Sequence, residues 1–463
     1  ESYRALFWKS IFLKLMVSKS FSLKLHSKIL PFKKTINVDA DKSISIRSLL
    51  IGAVSQNISN AKNVLESQDI FSSINCLKKL GVRIKKLKKG YYSIYGKGLG
   101  SLNLGKNEKL NFGNSGTLAR LLIGILSTTP GIKVNISGDH SLNKRSMKNL
   151  IDQMTKFGAS FKPINKFNFP LHLTSSDMPI GIKYIAGSSA QIKSAVILAG
   201  LNSFGNTSII EKQKSRDHTE NILSNNIGII KVIKKAKKNI NIVGRKYLKP
   251  IQIDVPNDPS SAAFFSALTL LNNDSTIIIK KVGLNPTRTG FYQILKKQGV
   301  KIQFKNLKKI NSELRGDIIV KSQKLKPIKA SKNYYVNATD EYPILFVMAA
   351  LIKGVSTFRG IKELANKESN RIAEMQKILG QVSVKTKFYK DELKIYGKGI
   401  INAQDKIINV PNLGDHRICM STFVLALLTG AKTKIKNFET VFTSSPSFLK
   451  IMKKIGAKFE IQK

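Results

Sequence analysis

The chain has 463 residues, enough for about two to four domains by length, with 42% hydrophobic and 8% aromatic residues, a composition that excludes global disorder. No apolar run approaches the ~20 residues of a membrane span, and two cysteines, Cys76 and Cys419, exclude a disulfide scaffold or a cysteine zinc cluster and fit a reducing compartment. The 78 Lys and Arg against 28 Asp and Glu leave +50, a charge open to nucleic acid, an anionic membrane face or small anionic substrates. The lysines are spread along the chain, however. Clusters such as Lys85-Lys-Leu-Lys-Lys89 and Lys234-Lys-Ala-Lys-Lys238 are short, and Ile and Asn are abundant beside them. Compositional drift on a solvated surface explains this pattern, so net charge alone assigns no function.

Residues 1–28 read as an N-terminal extension. They are basic and nearly free of acids, which fits a transit peptide, and Met16 within them is an alternative start. Beyond them a unit of amphipathic helix, glycine and short strand recurs, centred on Gly81, Gly158, Gly228, Gly299, Gly380 and Gly456. Successive glycines lie roughly 70 to 80 residues apart, so about six units fill the chain. Each glycine is expected just past a helix end, where a left-handed backbone suits Gly alone.

Each unit opens with an apolar segment that reads as a buried helix: 49–54, 121–126, 195–201, 264–271, 345–352 and 422–428. In chain order the preceding segments are Asp41-Lys-Ser-Ile-Ser-Ile-Arg47, Gly113-Asn-Ser-Gly-Thr-Leu-Ala-Arg120, Gly187-Ser-Ser-Ala-Gln-Ile-Lys193, Asn257-Asp-Pro-Ser-Ser261, Thr339-Asp-Glu-Tyr-Pro343 and Gly414-Asp-His-Arg417. Ser, Thr, Asp, Asn and Gly are helix N-terminus chemistry. Most of these segments also carry a Lys, Arg, Asp or Gln beyond what capping requires. Six helix N-termini converging, each with unpaired N–H groups and a positive dipole end, would build an anion-binding cavity for phosphorylated or carboxylated small molecules.

At these residues the sequence resembles the enolpyruvyl transferases, most closely the branch that acts on shikimate 3-phosphate. The segments Asp41–Arg47 and Gly113–Thr117 with Arg120 are followed in family order by Gly138–Arg145, Ser189-Ala-Gln191, Ser215–Glu220, Gly283–Gly290, Asp340-Glu341, Lys367-Glu-Ser-Asn-Arg371 and Asp415-His-Arg417. The match runs from about residue 30 to the C-terminus. It implies two similar inside-out α/β domains, each of three βαβαββ units around buried helices, with the active site in the cleft between them. One domain is expected over 41–256 and the other over 29–40 with 257–463, with crossings near Asp39–Asp41 and Val255–Asn257.

The resemblance further implies transfer of the carboxyvinyl group of phosphoenolpyruvate to the 5-hydroxyl of shikimate 3-phosphate, in the shikimate pathway of aromatic amino-acid biosynthesis. It assigns Lys42, Ser43, Arg47, Ser189, Ala190, Gln191, Asp340 and Lys367 to shikimate 3-phosphate. Lys42, Gly116, Arg145, Gln191, Arg371 and Arg417 fall on phosphoenolpyruvate positions. Arginine suits such sites because its planar fork pairs bidentately with carboxylate and phosphate. Asp340 is the expected base for the hydroxyl, and Glu368, with Lys42 able to relay a proton, the expected acid toward carbon. His416 is a further candidate phosphate contact. No cofactor or metal is called for, and the family precedent is a cytoplasmic monomer without specific nucleic-acid or membrane partners. Two departures stand out: Asn370 replaces the Asp usual before the arginine, and Thr443-Ser-Ser-Pro446 lacks a lysine that some members place there. The alternatives are the sister transferase acting on UDP-N-acetylglucosamine, which uses a mobile-loop cysteine unlike Cys76 or Cys419 in placement, and a nucleic-acid-binding protein exploiting the basic charge.

Overall fold

The recurring unit folds the same way six times. A computed structural model describes residues 20–105, 108–234, 238–399 and 401–462. The expected transit peptide and Met16 fall largely or wholly in 1–19, outside the described residues. Among the described residues the strands form six four-stranded sheets, each containing one parallel pair followed by two antiparallel pairs. In the first, Gln252–Asp254 runs parallel to Ile58–Lys62, which pairs with Tyr91–Tyr95 and through it with Arg83–Lys88. Six central helices follow, α1 (Lys42–Val54), α2 (Gly116–Ser127), α3 (Ala190–Asn202), α4 (Pro259–Leu271), α5 (Tyr342–Ala350) and α6 (His416–Thr429). Of these, α2, α3, α5 and α6 each join the two parallel strands of one sheet, whereas α1 and α4 lead from one sheet to another. All are apolar round nearly their whole circumference, so they are buried with the sheets outside them, which makes the fold inside-out. Small residues let them approach closely: a Cβ on Gly124 of α2 would lie 2.8 Å from the Ala195 Cα of α3.

Apolar side chains divide into two cores. One is built from Ala40 to Val255; the other joins Phe21–Val38 to Ala262–Ala457. The chain passes between them twice. At these crossings Asp41 N–H donates to Pro256 O (2.9 Å) and Asp258 N–H to Asp39 O (2.8 Å), lashing the two strands together. Strands borrowed across sequence close the units: Lys33–Ile36 completes the sheet of Thr276–Gly283, and Ser22–Leu25 lies between Lys432–Ile435 and Glu460–Gln462. The extension expected over 1–28 therefore includes a core strand. Phe21, Leu23 and Leu25 alternate inward with Ser22 and Lys24 outward, a period-two signal too short to stand out beside basic flanks.

Five of the six unit glycines have left-handed backbones: Gly81, Gly158, Gly228, Gly299 and Gly456, at φ 80 to 107°. Gly380 departs from expectation. It lies inside the helix Arg371–Gln381, and Ser383, at φ 59°, makes the left-handed turn instead.

Candidate active site

Capping fixes where the central helices aim. Asp41, Ser115, Ser189, Asp258 and Asp415 each accept a hydrogen bond from a backbone N–H in the first turn of the helix they precede. The fifth helix differs. Glu341 stands at its N-cap without a side-chain capping bond, and Pro343 fills the first turn, which leaves the Asp340 carboxylate free to face outward. The N-terminal segments of α1, α2, α3, α5 and α6 border one cavity of ≈ 1390 Å³ between the two cores. The sixth expected contributor, α4, is shut out: Arg288 Nη2 pairs with its cap Asp258 (2.8 Å) and reaches Asp41 (3.4 Å), sealing the two crossings together. The buried carboxylates of Asp41 and Asp258 are balanced there by the Arg288 guanidinium.

Nine of the thirteen residues expected from sequence line this cavity: Ser43, Arg47, Arg145, Ser189, Ala190, Gln191, Asp340, Lys367 and Glu368. The other four do not border it. Lys42 pairs with Asp69 (3.0 Å). The Gly116 carbonyl accepts from Arg120 Nη1 (3.1 Å), and a Cβ there would come within 2.7 Å of Arg120 and 3.2 Å of Arg145, so a side chain at this position would shift both guanidiniums. Arg371 reaches Glu368 (2.7 Å), Asp415 (2.9 Å) and, at 3.8 Å, Asp340. Arg417 lies over the Phe264 ring, 5.9 Å from its centre. Thr443 lines the cavity, while His416 is buried and, through burial and the charges of Arg417 and Lys42, is held neutral.

The arginines are oriented from behind. Arg47 spends three nitrogens on Thr219 Oγ1 (2.9 Å), Ser194 Oγ (3.0 Å) and the Ser43 carbonyl (3.0 Å). Gln191 accepts from Arg120 (2.8 Å) and donates to Thr117 (2.9 Å), tying α3 to α2. Arg371 is aligned by Asp415 rather than by its neighbour, because Asn370 is consumed capping Ala373 N–H (3.1 Å). Buried nitrogens remain without a hydrogen bond among the described residues: Arg371 Nη1, Arg417 Nε and Nη1, and Arg145 Nε. Unpaired buried donors on cations are costly, on the order of 1–3 kcal/mol each. Several at one cleft wall suit a multiply charged anion.

Two cationic residues were singled out only as parts of motifs. Arg216, in the Ser215–Glu220 segment, pairs with Asp340 across the cleft (2.6 Å), and Arg120 turns its guanidinium toward Gln191. Both border the cavity. Arginine retained inside a lysine-rich chain was the available signal. Burial alone would raise the Asp340 carboxyl, but Arg216, Arg417, Arg288 and Arg371 together hold it well below the usual carboxylate range. Glu368 is likewise depressed: Arg371 and Arg145 outweigh its burial. Neither cysteine offers a nucleophile here. Both are buried away from the cavity, with burial pushing the Cys76 thiol up to about 12 and Cys419 higher still.

The same fold occurs in solved proteins. The enolpyruvyl transferase NikO from Streptomyces tendae aligns over 96% of this chain and 99% of its own, with a TM-score of 0.75 at 12% identity, a likeness of fold alone. An EPSP synthase from Acinetobacter baumannii aligns over 96% of this chain and all of its own, with a TM-score of 0.83 at 33% identity. The two-domain α/β fold is that of the enolpyruvyl transferase class. Within that class, residues 27–452 match the family model of EPSP synthase (3-phosphoshikimate 1-carboxyvinyltransferase). Relatives named 3-phosphoshikimate 1-carboxyvinyltransferase include those of Zymomonas mobilis, 37% identical over 93% of this chain and 96% of theirs, and Bacillus subtilis, 35% identical over 91% and 97%. The chain belongs to the EPSP synthase family.

Proposed function

We infer that this transferase moves the enolpyruvyl group of phosphoenolpyruvate onto the 5-hydroxyl of shikimate 3-phosphate, a step of aromatic amino-acid biosynthesis. The observation that carries this reading is one cleft in which five helix N-termini and buried arginine nitrogens face two carboxylates, Asp340 and Glu368. Lys42, Ser43, Arg47, Ser189, Ala190, Gln191, Asp340 and Lys367 hold shikimate 3-phosphate. Lys42, Gly116, Arg145, Gln191, Arg371 and Arg417 surround phosphoenolpyruvate. No protein cofactor takes part.

The hydroxyl oxygen adds to the phosphate-bearing enol carbon while Asp340 takes its proton and the methylene carbon gains one from Glu368. Loss of a methyl proton and of phosphate from the resulting tetrahedral intermediate restores the double bond. Fixed arginines stabilise the departing phosphate without reorganising. Glu368 is anionic while Arg145 and Arg371 face it alone. Substrate anions on those arginines would offset their pull and raise its proton affinity, so the donor role belongs to the loaded site. The protein works as a cytoplasmic monomer of two domains, 41–256 and 29–40 with 257–463, without specific nucleic-acid or membrane partners.

Phosphate release from phosphoenolpyruvate tests the reading, run in parallel with shikimate 3-phosphate and with UDP-N-acetylglucosamine. Release is expected only with the former; release only with the sugar nucleotide reverses the assignment. Asp340→Ala should lose at least about 100-fold in kcat while still binding shikimate 3-phosphate by calorimetry. Unchanged turnover would remove Asp340 from the mechanism.

A further inference from the structure

Directly beneath Asp340 lies a second carboxylate that the reaction above does not use. Glu341 is 1% exposed and does not border the cavity. Its Oε1 accepts a short hydrogen bond from Ser260 Oγ, and its Oε2 has no partner among the described residues. Ser260 in turn accepts from Arg288 Nη2 (3.0 Å), the nitrogen that also binds Asp258 (2.8 Å) and reaches Asp41 (3.4 Å). A continuous polar chain thus runs from both crossings, through Arg288 and Ser260, to the residue adjoining the candidate base.

Such a chain exceeds what packing needs. A buried carboxylate with an unpaired oxygen is expensive, and an apolar side chain would fill the space. The charged and titratable groups facing Glu341 are Asp340 and Tyr342 on its own segment, Arg288 and Arg216 from the neighbouring loops, Asp258 at the start of α4, and Tyr292 on the helix Gly290–Lys297. We propose that Glu341 is a positioning residue for the transfer: held by Ser260 and Arg288, its charge sets how strongly Asp340 takes the proton of the substrate hydroxyl. This rests on Asp340 being the base.

The direction follows from Coulomb's law. An ionised Glu341 adds negative charge beside Asp340 and raises its proton affinity; a protonated Glu341 removes that charge and weakens the base. Burial and the adjacent Asp340 push Glu341 up to about 7, so the exchange between the two states falls where the enzyme is assayed. The Ser260 hydroxyl favours the ionised form, because a donated hydrogen bond stabilises the carboxylate.

The test is the single-turnover rate of wild type, Glu341→Gln, Ser260→Ala and Asp340→Asn from about pH 5.5 to about pH 8.5, with folding checked by thermal melts. For E341Q the ratio of wild-type to variant rate should rise from about one at low pH to about three- to tenfold at high pH, with KM for both substrates unchanged. S260A should keep the step in rate but move it to higher pH, which serves if E341Q fails to fold. A ratio independent of pH, or a step unmoved in S260A, overturns the proposal for Glu341 while leaving Asp340 in place if D340N is inactive. An active D340N instead removes the reading on which the proposal rests.

Discussion

Each carboxylate around the cleft has its charge state set by what is buried next to it. Asp340 and Glu368 sit among arginines and are depressed, whereas Glu341, a peptide bond from Asp340, is raised by its burial and by the Asp340 charge. These shifts are also stability statements. A depressed carboxylate binds fewer protons in the folded than in the unfolded chain. Its contribution is present above the unfolded value of about 4 to 4.5 and lost as pH falls through the folded value. Asp340, Glu368 and Glu313, the last held down by His218, therefore all weaken the fold in acid. Glu341 acts in the opposite sense: the folded chain retains its proton longer, so its contribution is present below about 4.5 and is lost as pH rises toward about 7. Replacing it by Gln should raise the melting temperature relative to wild type more at pH 8 than at pH 5. A difference that is equal at both, measured by calorimetry, would show that Glu341 does not change charge on folding.

At the level of the helices and their caps, most local structure was legible in the sequence. The capping residues of α1, α2, α3, α4 and α6 and five left-handed glycines stand where the Ser, Asp and Gly pattern put them. Gly380 was misplaced because the sequence pattern aligns it with the other glycines, yet its helix continues through Gln381 to a turn made at Ser383. The difference has a measurable consequence. Gly299 has φ 85° with nothing within 4 Å of an added Cβ, so Gly299→Ala suffers only backbone strain and should cost about 1 kcal/mol. Gly380 has the same open space but a helical backbone, so Gly380→Ala should stabilise by about 0.5–1 kcal/mol. Urea unfolding of the two variants checks both signs, and destabilisation by G380A would mean that position is not helical.

Across the whole molecule, the two cores are joined by polar contacts rather than by a shared apolar face. Arg216 with Asp340, Arg145 with Glu368, His218 with Glu313 and Arg315 with Asp254 each pair residues from opposite sides. The chain as a whole carries +50, and both substrates of the proposed reaction are anions. Field-assisted capture should make kcat/KM for phosphoenolpyruvate fall severalfold between about 0.05 M and about 0.3 M KCl, with kcat little changed, because the screening length shortens while the buried pairs stay shielded. A kcat/KM indifferent to salt would return the +50 charge to compositional drift.

The sequence by itself determined the repeat, the helices and their caps, because periodicity and capping are local properties written in neighbouring residues. The thirteen site residues came from the resemblance that its motifs carry, and nine of them border one cavity. Only the tertiary structure decided that Arg288 closes the N-terminus of α4 away from the cleft, that Ser22–Leu25 completes the last sheet, and that Arg216 meets Asp340. Those outcomes depend on distances between segments tens to hundreds of residues apart. Electrostatic energy follows that separation in space, and no local pattern encodes it.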